Sequence, residues 1–197
     1  RARKVAEEKG VVLAEAMTLY HMPVYKKLAD LVNSGALGKL RFVQMNFGSY
    51  KEYDMKNRFF NRSLAGGALL DIGVYALSFV RYFMTAQPDQ IASQVLQAPT
   101  GVDEQAGILL QNKEGEMATL ALSLHAKQPK RGMAAFDKGY IEIYDYPRAD
   151  TATITYTEDG RKEVIQEGST AKALQYEILD MEQAVANGGK GMCQEYT

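Results

Sequence analysis

From Gln90 to Gln166 the chain lays down one short alternating run after another: QIASQVLQA, EQAGILLQN, EMATLALSLHAK, GYIEIYDY, TATITYT and KEVIQ. The connections KEG and EDGR are too short for anything but hairpin turns. Period-2 alternation bounded by Gly, Asp and Asn is the signature of strands with one face on a core. An earlier run, RFVQMNFGSY, alternates likewise, with Val43, Met45 and Phe47 opposite Phe42, Gln44 and Asn46. These runs predict a mostly antiparallel sheet of about six or seven strands. Ala118, Leu120, Leu122 and Leu124 form one face, and Met117, Thr119, Ala121, Ser123 and His125 the other. Ile141 and Ile143 likewise oppose Tyr140, Glu142, Tyr144 and Tyr146. One face is therefore core. The other is amphipathic and tyrosine-bearing, which suits a partner subunit better than water.

Helical patterns surround this sheet. MPVYKKLADLVNSG places Val24, Leu28, Leu31 and Val32 at helical spacing, with Pro23 near its start. AKALQYEILDMEQAVAN closes the chain as a helix ending at Gly188–Gly189. The first residues differ in kind. RARKVAEEKG reads as a helix with Gly10 at its C-cap, and VVLAEAM as a strand buried on both sides in a parallel sheet. A helix feeding a buried strand is the tail of an α/β unit whose preceding strand is absent. The expected division is 1–17 for that tail and 18–197 for the main domain. The chain opens without methionine, which suggests a cut start.

Composition narrows the function classes. The 197 residues carry 23 basic and 24 acidic side chains and are 46% hydrophobic. Near-neutral charge with no basic stripe argues against a nucleic-acid partner. No apolar run is read as reaching the roughly 18 residues of a membrane span, so no membrane partner is expected. A single cysteine, Cys193, excludes a disulfide framework and is read as an inert thiol, in keeping with a cytoplasmic location. His21 and His125 lie far apart without close acidic or thiol companions, so no metal site is expected. KQPKR at 127–131 reads as a solvated basic turn.

The stretch GGALLDIGVYALSFV, 66–80, carries the chemistry. It reads as one helix, apolar on most sides, yet it holds Asp71 and Tyr75 four residues apart and hence on one face. A carboxylate there costs several kcal/mol unless it is paired or faces a polar cleft. One reading makes Asp71 a first-turn anion favoured by the helix dipole and Tyr75 a core aromatic. The other makes them the floor of a cleft. Gly66, Gly67 and Gly73 remove side chains where something approaches closely.

The order of motifs sharpens this choice. LAEAM, YHMP, a helix ending SGALGKL, then AGGALLDIGVYAL and GVDEQAGILL together resemble the glucose–fructose oxidoreductase/inositol dehydrogenase (Gfo/Idh/MocA) family, most of all its dihydrodiol and D-xylose dehydrogenase branch. The resemblance covers nearly the whole chain. It implies an α+β fold: a large, mostly antiparallel, open-faced sheet with helices packed on one face, preceded by a helix–strand remnant of a Rossmann domain. It implies that Tyr75 is the acid/base, that Asp71 orients substrate or that acid/base, and that Arg58, in NRFF, belongs to the loop before the helix and binds substrate. His21 falls near the cofactor mouth and is a substrate-binding candidate, with a structural role as its other reading. The expected activity is that of an NAD(P)-dependent dehydrogenase acting on a CH–OH group of a sugar, polyol or cyclic diol. This chain would be the substrate-binding and oligomerisation domain, a homo-oligomer through the open sheet face.

The family's Gly-rich phosphate loop and its Glu-Lys-Pro motif, whose lysine assists proton transfer, would lie upstream of Arg1. NAD or NADP is thus expected in the full-length protein, with none bound to this chain, which alone should be inactive. NGGKG at 187–191 follows a helix, not a strand, and cannot replace the phosphate loop. MAAFDK stands where the family shows a glycine-rich turn. The rival expectation is a non-catalytic dimerisation scaffold or small-ligand domain on the same fold.

Overall fold

The computed structural model describes residues 1–188. Cys193 and the glycines of NGGKG beyond Gly188 lie outside the described residues. In chain order the elements are α1 (Ala2–Lys9), α2 (Pro23–Asn33), β1 (Leu40–Gly48), a π-helical turn (Leu69–Gly73) running into α3 (Val74–Phe83), β2 (Pro88–Gln97), β3 (Asp103–Asn112), β4 (Met117–Ser123), β5 (Gln128–Phe136), β6 (Gly139–Tyr144), β7 (Thr151–Tyr156), β8 (Lys162–Gln166) and α4 (Ala173–Ala186). The strands form one eight-stranded sheet in the order β2-β3-β4-β1-β5-β6-β7-β8. Only β1 and β4 pair in parallel; every other neighbour is antiparallel.

The alternation read in the sequence sets the faces. Val43, Met45 and Phe47 of β1, Ala118, Leu120 and Leu122 of β4, and Ile141 and Ile143 of β6 are buried together with Ile72, Ala76, Phe79 and Val80 of the central helix. On the other face, one cross-strand row runs Leu109, Thr119, Gln44, Met133, Glu142, Thr153, Val164. Arg131 ties that face together, its Nε 2.6 Å from Glu142 Oε1 and its Nη1 3.0 Å from Gln44 Oε1.

The structure corrects several sequence expectations. The segment read as a basic turn is β5, a central strand between β1 and β6. Two of its core positions, Gly132 and Ala134, are small, and the Phe79 ring occupies the space above Gly132. A Cβ on Gly132 would sit 2.6 Å from Phe79 Cζ. Strand-forming bulk is absent there because the helix supplies it. Tyr146 also leaves the open face. The strand stops at Tyr144, Asp145 turns into the left-handed region at φ 49°, and Tyr146 rotates fully into the core. Residues 11–17 form no sheet strand, since no described strand offers them a ladder; Val11 is 60% exposed.

The central helix differs as well. Leu69 and Leu70 are exposed, not buried. The helical run Arg62–Phe83, at 22 residues and mean hydropathy 1.6, is long and apolar enough to meet the length and composition test for a membrane span, against the sequence reading. In the fold Ala68, Ile72, Ala76, Phe79, Val80 and Phe83 are buried on the sheet, as in a core helix, so the test is weak support for a span.

A buried carboxylate anchors the C-terminal end of that helix. Glu116 accepts from Thr85 N at 2.9 Å, Thr85 Oγ1 at 2.8 Å and Asn112 Nδ2 at 2.7 Å. Glu116→Ala would strand those donors inside the protein. The expected loss is about 2–4 kcal/mol in urea unfolding. Glu116→Gln, which keeps an acceptor, should lose less. Equal losses for both variants would show that the acceptor does not hold this corner.

Candidate active site

Residues 51–68 build the approach to the helix. Asn57 Oδ1 accepts from Phe59 N at 3.3 Å and Asn61 Oδ1 from Ser63 N at 3.0 Å, two local turns that hold Arg58 between them. Gly66 and Gly67 then let the chain pass against that loop. Gly67 has φ 120°, and a Cβ on it would lie 2.1 Å from Asp103 Oδ1. Asp103, at the start of β3, thereby brings Oδ2 to within 2.6 Å of Leu69 N and caps the helix from outside. Gly73 packs close to Leu122 of β4. The glycines expected to make room for a close approach make room for the protein's own loop, carboxylate and sheet.

Asp71 lies in the π-helical turn, a rare geometry enriched at functional sites. Its carboxylate pairs with the Arg58 guanidinium. The Asp71 side chain is 12% exposed and that of Arg58 59%. The pair thus sits at a boundary, the acid mostly desolvated and the base mostly wet. Arg58 also lies over the Phe59 ring at 4.6 Å, and Lys51 Nζ lies over the same ring at 4.4 Å.

Tyr75 stands one turn later, half-buried, its ring 6.2 Å from that of Phe47. Lys130 Nζ lies over Phe47 at 5.2 Å. Phe47 also meets Tyr146 edge-on at 6.0 Å. Burial first, and then the Tyr75 phenol, push the Tyr146 hydroxyl above the ordinary tyrosine range. No hydrogen bond joins the Asp71 and Tyr75 side chains; Arg58 takes one and Phe47 packs on the other. What they share is a strip of helix with a cation–aromatic rim.

His21 belongs to a different place. It is buried, its Nδ1 2.8 Å from Asp180 Oδ2 on α4, and Lys26 Nζ lies 3.0 Å from Asp180 Oδ1. It lines a cavity of about 270 Å³ with Ala14, Glu15, Glu177, Ile178 and Met181. The structure therefore brings Arg58, Asp71 and Tyr75 together and sets His21 in a second pocket. Sequence reasoning missed Asp103, Phe47, Lys130 and Tyr146 as parts of this region. Asp103 had a signal in GVDEQ, a carboxylate just before a strand. Lys130 and Tyr146 had none, because a mistaken turn and a reversed face hid them.

Comparison with known proteins agrees with this architecture. Residues 25–144 match the model of the GFO/IDH/MocA C-terminal domain, a span that includes Arg58, Asp71 and Tyr75 but not His21. Trans-1,2-dihydrobenzene-1,2-diol dehydrogenase of Xenopus tropicalis is 32% identical over 139 residues, 70% of this chain and 42% of its own length. The enzyme of that name from Sus scrofa is 31% identical over 141 residues, 71% of this chain and 42% of its own length. The chain thus spans less than half the length of these relatives. Among solved structures, the 3-ketoreductase KijD10 from Actinomadura kijaniata superimposes with TM-score 0.81 at 21% identity, over 98% of this chain and 59% of that one. Aldose-aldose oxidoreductase from Caulobacter crescentus gives TM-score 0.79 at 22% identity, over 92% of this chain and 56% of that one. The chain belongs to the GFO/IDH/MocA family, of which it is a C-terminal domain.

Proposed function

We propose that this chain is the substrate-binding and oligomerisation domain of an NAD(P)-dependent oxidoreductase that acts on a CH–OH group of a sugar, polyol or cyclic diol. The observation that carries the reading is the π-helical turn that holds Asp71 against Arg58 with Tyr75 one turn on. A stand-alone scaffold has no use for a desolvated carboxylate in an apolar helix. Support comes also from the relatives, which are named as diol dehydrogenases, and from KijD10, which was solved with NADP.

The described residues contain no strand leading through a Gly-rich turn into a helix, so they offer no seat for a dinucleotide's pyrophosphate. We assign that seat to a dinucleotide-binding domain of which residues 1–17 are the tail. Val11, Leu13, Ile178 and Leu179, all exposed and apolar, are the surface it would cover. His21, in the pocket among them, then lies at the cofactor mouth. When bound, the nicotinamide supplies the hydride acceptor. Tyr75 takes the hydroxyl proton as the carbonyl forms, and gives it back in the reverse direction. Asp71, held by Arg58, accepts a hydrogen bond from the substrate and fixes which hydroxyl faces Tyr75. The single cysteine among 197 residues keeps a cytoplasmic location as part of the proposal.

Tested in the protein that contains both domains, Tyr75→Phe should lower kcat by about 10²–10⁴-fold. The melting temperature should stay unchanged, because the Phe47 packing survives. Full activity in that variant would remove Tyr75 from the chemistry; no turnover in the parent protein would move the scaffold reading to first place. Arg58→Met leaves the Asp71 carboxylate without its cation. We expect kcat/KM to fall about 10–100-fold, with a stability loss of only ~1 kcal/mol because Arg58 is so exposed. An unchanged kcat/KM would remove the pair from the site.

The open sheet face, with Leu109, Tyr140, Tyr144 and Val164 exposed beside the Arg131–Glu142 pair, is the proposed contact between subunits. Light scattering should show an oligomer that Tyr144→Glu, against Glu142 and its neighbours, dissociates at micromolar concentration. An oligomer indifferent to that change would place the contact elsewhere.

A further inference from the structure

We propose that the Tyr146 hydroxyl is a positioning group for Tyr75, turning to donate a hydrogen bond to the Tyr75 oxygen as that oxygen takes on negative charge. The inference rests on the acid/base reading of Tyr75 and adds a second phenol to it.

Four observations lead there. Tyr146 is fully buried, and among the described residues its hydroxyl finds no hydrogen-bond partner. A buried hydroxyl left in that state is destabilising, and phenylalanine would fill the same space without that penalty. The residue is nevertheless held with care. Its own carbonyl accepts from Tyr25 Oη at 2.7 Å, Phe79 packs edge-on at 5.5 Å, and Pro147 follows it. Asp145, just before it, adopts a left-handed conformation that non-glycine residues adopt at some cost, and such strain gathers at functional sites. Finally, Phe47 touches both phenol rings, so Tyr75 and Tyr146 flank one aromatic side chain.

The titratable and charged groups around the two phenols are Tyr25 on α2, Lys130 across Phe47 on β5, and the Arg58–Asp71 pair one turn earlier. Burial, with the Tyr75 phenol second, pushes Tyr146 upward, so its O–H stays intact. It is thus a donor throughout the working range. In alcohol oxidation the substrate O–H breaks and its proton passes to the Tyr75 oxygen. The Tyr146 O–H stays whole, and its hydrogen bond shortens to a charged acceptor while Tyr75 is deprotonated.

The test is Tyr146→Phe in the two-domain protein, with trans-1,2-dihydrobenzene-1,2-diol and D-xylose as probe substrates and NADP as oxidant. The expected result is a fall in kcat of about tenfold at neutral pH with KM unchanged, recovered at high pH as the rising limb of the rate profile moves up by about one unit. Urea unfolding should show equal or greater stability, since an orphaned hydroxyl has gone. A profile that overlays the parent's while Tyr75→Phe is inactive would overturn the proposal and leave the Tyr75 reading standing. Activity surviving in Tyr75→Phe would remove both. A readout that needs no substrate is the ¹³Cζ resonance of Tyr75 followed through an alkaline titration of this chain. Its midpoint should move upward in Tyr146→Phe; coincident curves would overturn the proposal whether or not either probe is turned over.

Discussion

The contact on which the candidate site depends is the one between Asp103 and the backbone of Leu69. A helix that begins over a sheet leaves its first N–H groups unsatisfied. Here the first strand residue of β3 reaches across with a carboxylate and takes one of them at 2.6 Å. Only glycine at position 67 admits that approach, because any Cβ there would collide with the same carboxylate. β3 is itself held by ladders to β2 and β4. The sheet therefore dictates where the helix starts, and the start dictates where Asp71 points. Arg58 follows from the same arrangement, since the loop that presents it passes against Gly66.

Charge at this edge is balanced by unequal exposure. A carboxylate at 12% exposure loses much of its hydration, which a nearby cation offsets. Its guanidinium partner keeps its own hydration and rests on the face of Phe59. The pair therefore avoids the double desolvation that makes fully buried ion pairs a poor source of stability. Such a pair adds little to folding, which fits a role in holding a substrate hydroxyl better than a role in holding the helix.

How much of this was legible in the sequence depends on where bulk resides. Strands whose own side chains fill the core, such as β1, β4 and β6, betray themselves by alternation. β5 does not, because Gly132 leaves its space to Phe79 of the helix above and Ala134 adds little bulk beside it. Tyr146 follows the phase of β6 until Asp145 reverses it, a backbone event with no hydrophobic signature. The cost of a carboxylate among apolar neighbours called for a partner at Asp71 without naming one, and the structure supplies Arg58. Arg58 came by resemblance, and the structure gave it the pairing. For His21, set by resemblance near the cofactor mouth, the structure adds a partner, Asp180 near the end of the sequence. Nothing local in the sequence announces a contact across 159 residues.

The π-helical turn accounts for the geometry that spacing alone misread. In a continuous α-helix, residues four apart sit nearly above one another, so Asp71 and Tyr75 would share one direction. A turn closed by i→i+5 bonds is wider than an α turn, so the directions of its side chains no longer follow the regular α-helical spacing. Asp71 then meets the loop at Arg58, while Tyr75 meets the sheet at Phe47. Leu69 and Leu70, in the same turn, are exposed and stay out of the core. Asp71 and Tyr75 therefore face different neighbours, a loop cation and a sheet aromatic, which their four-residue spacing does not announce.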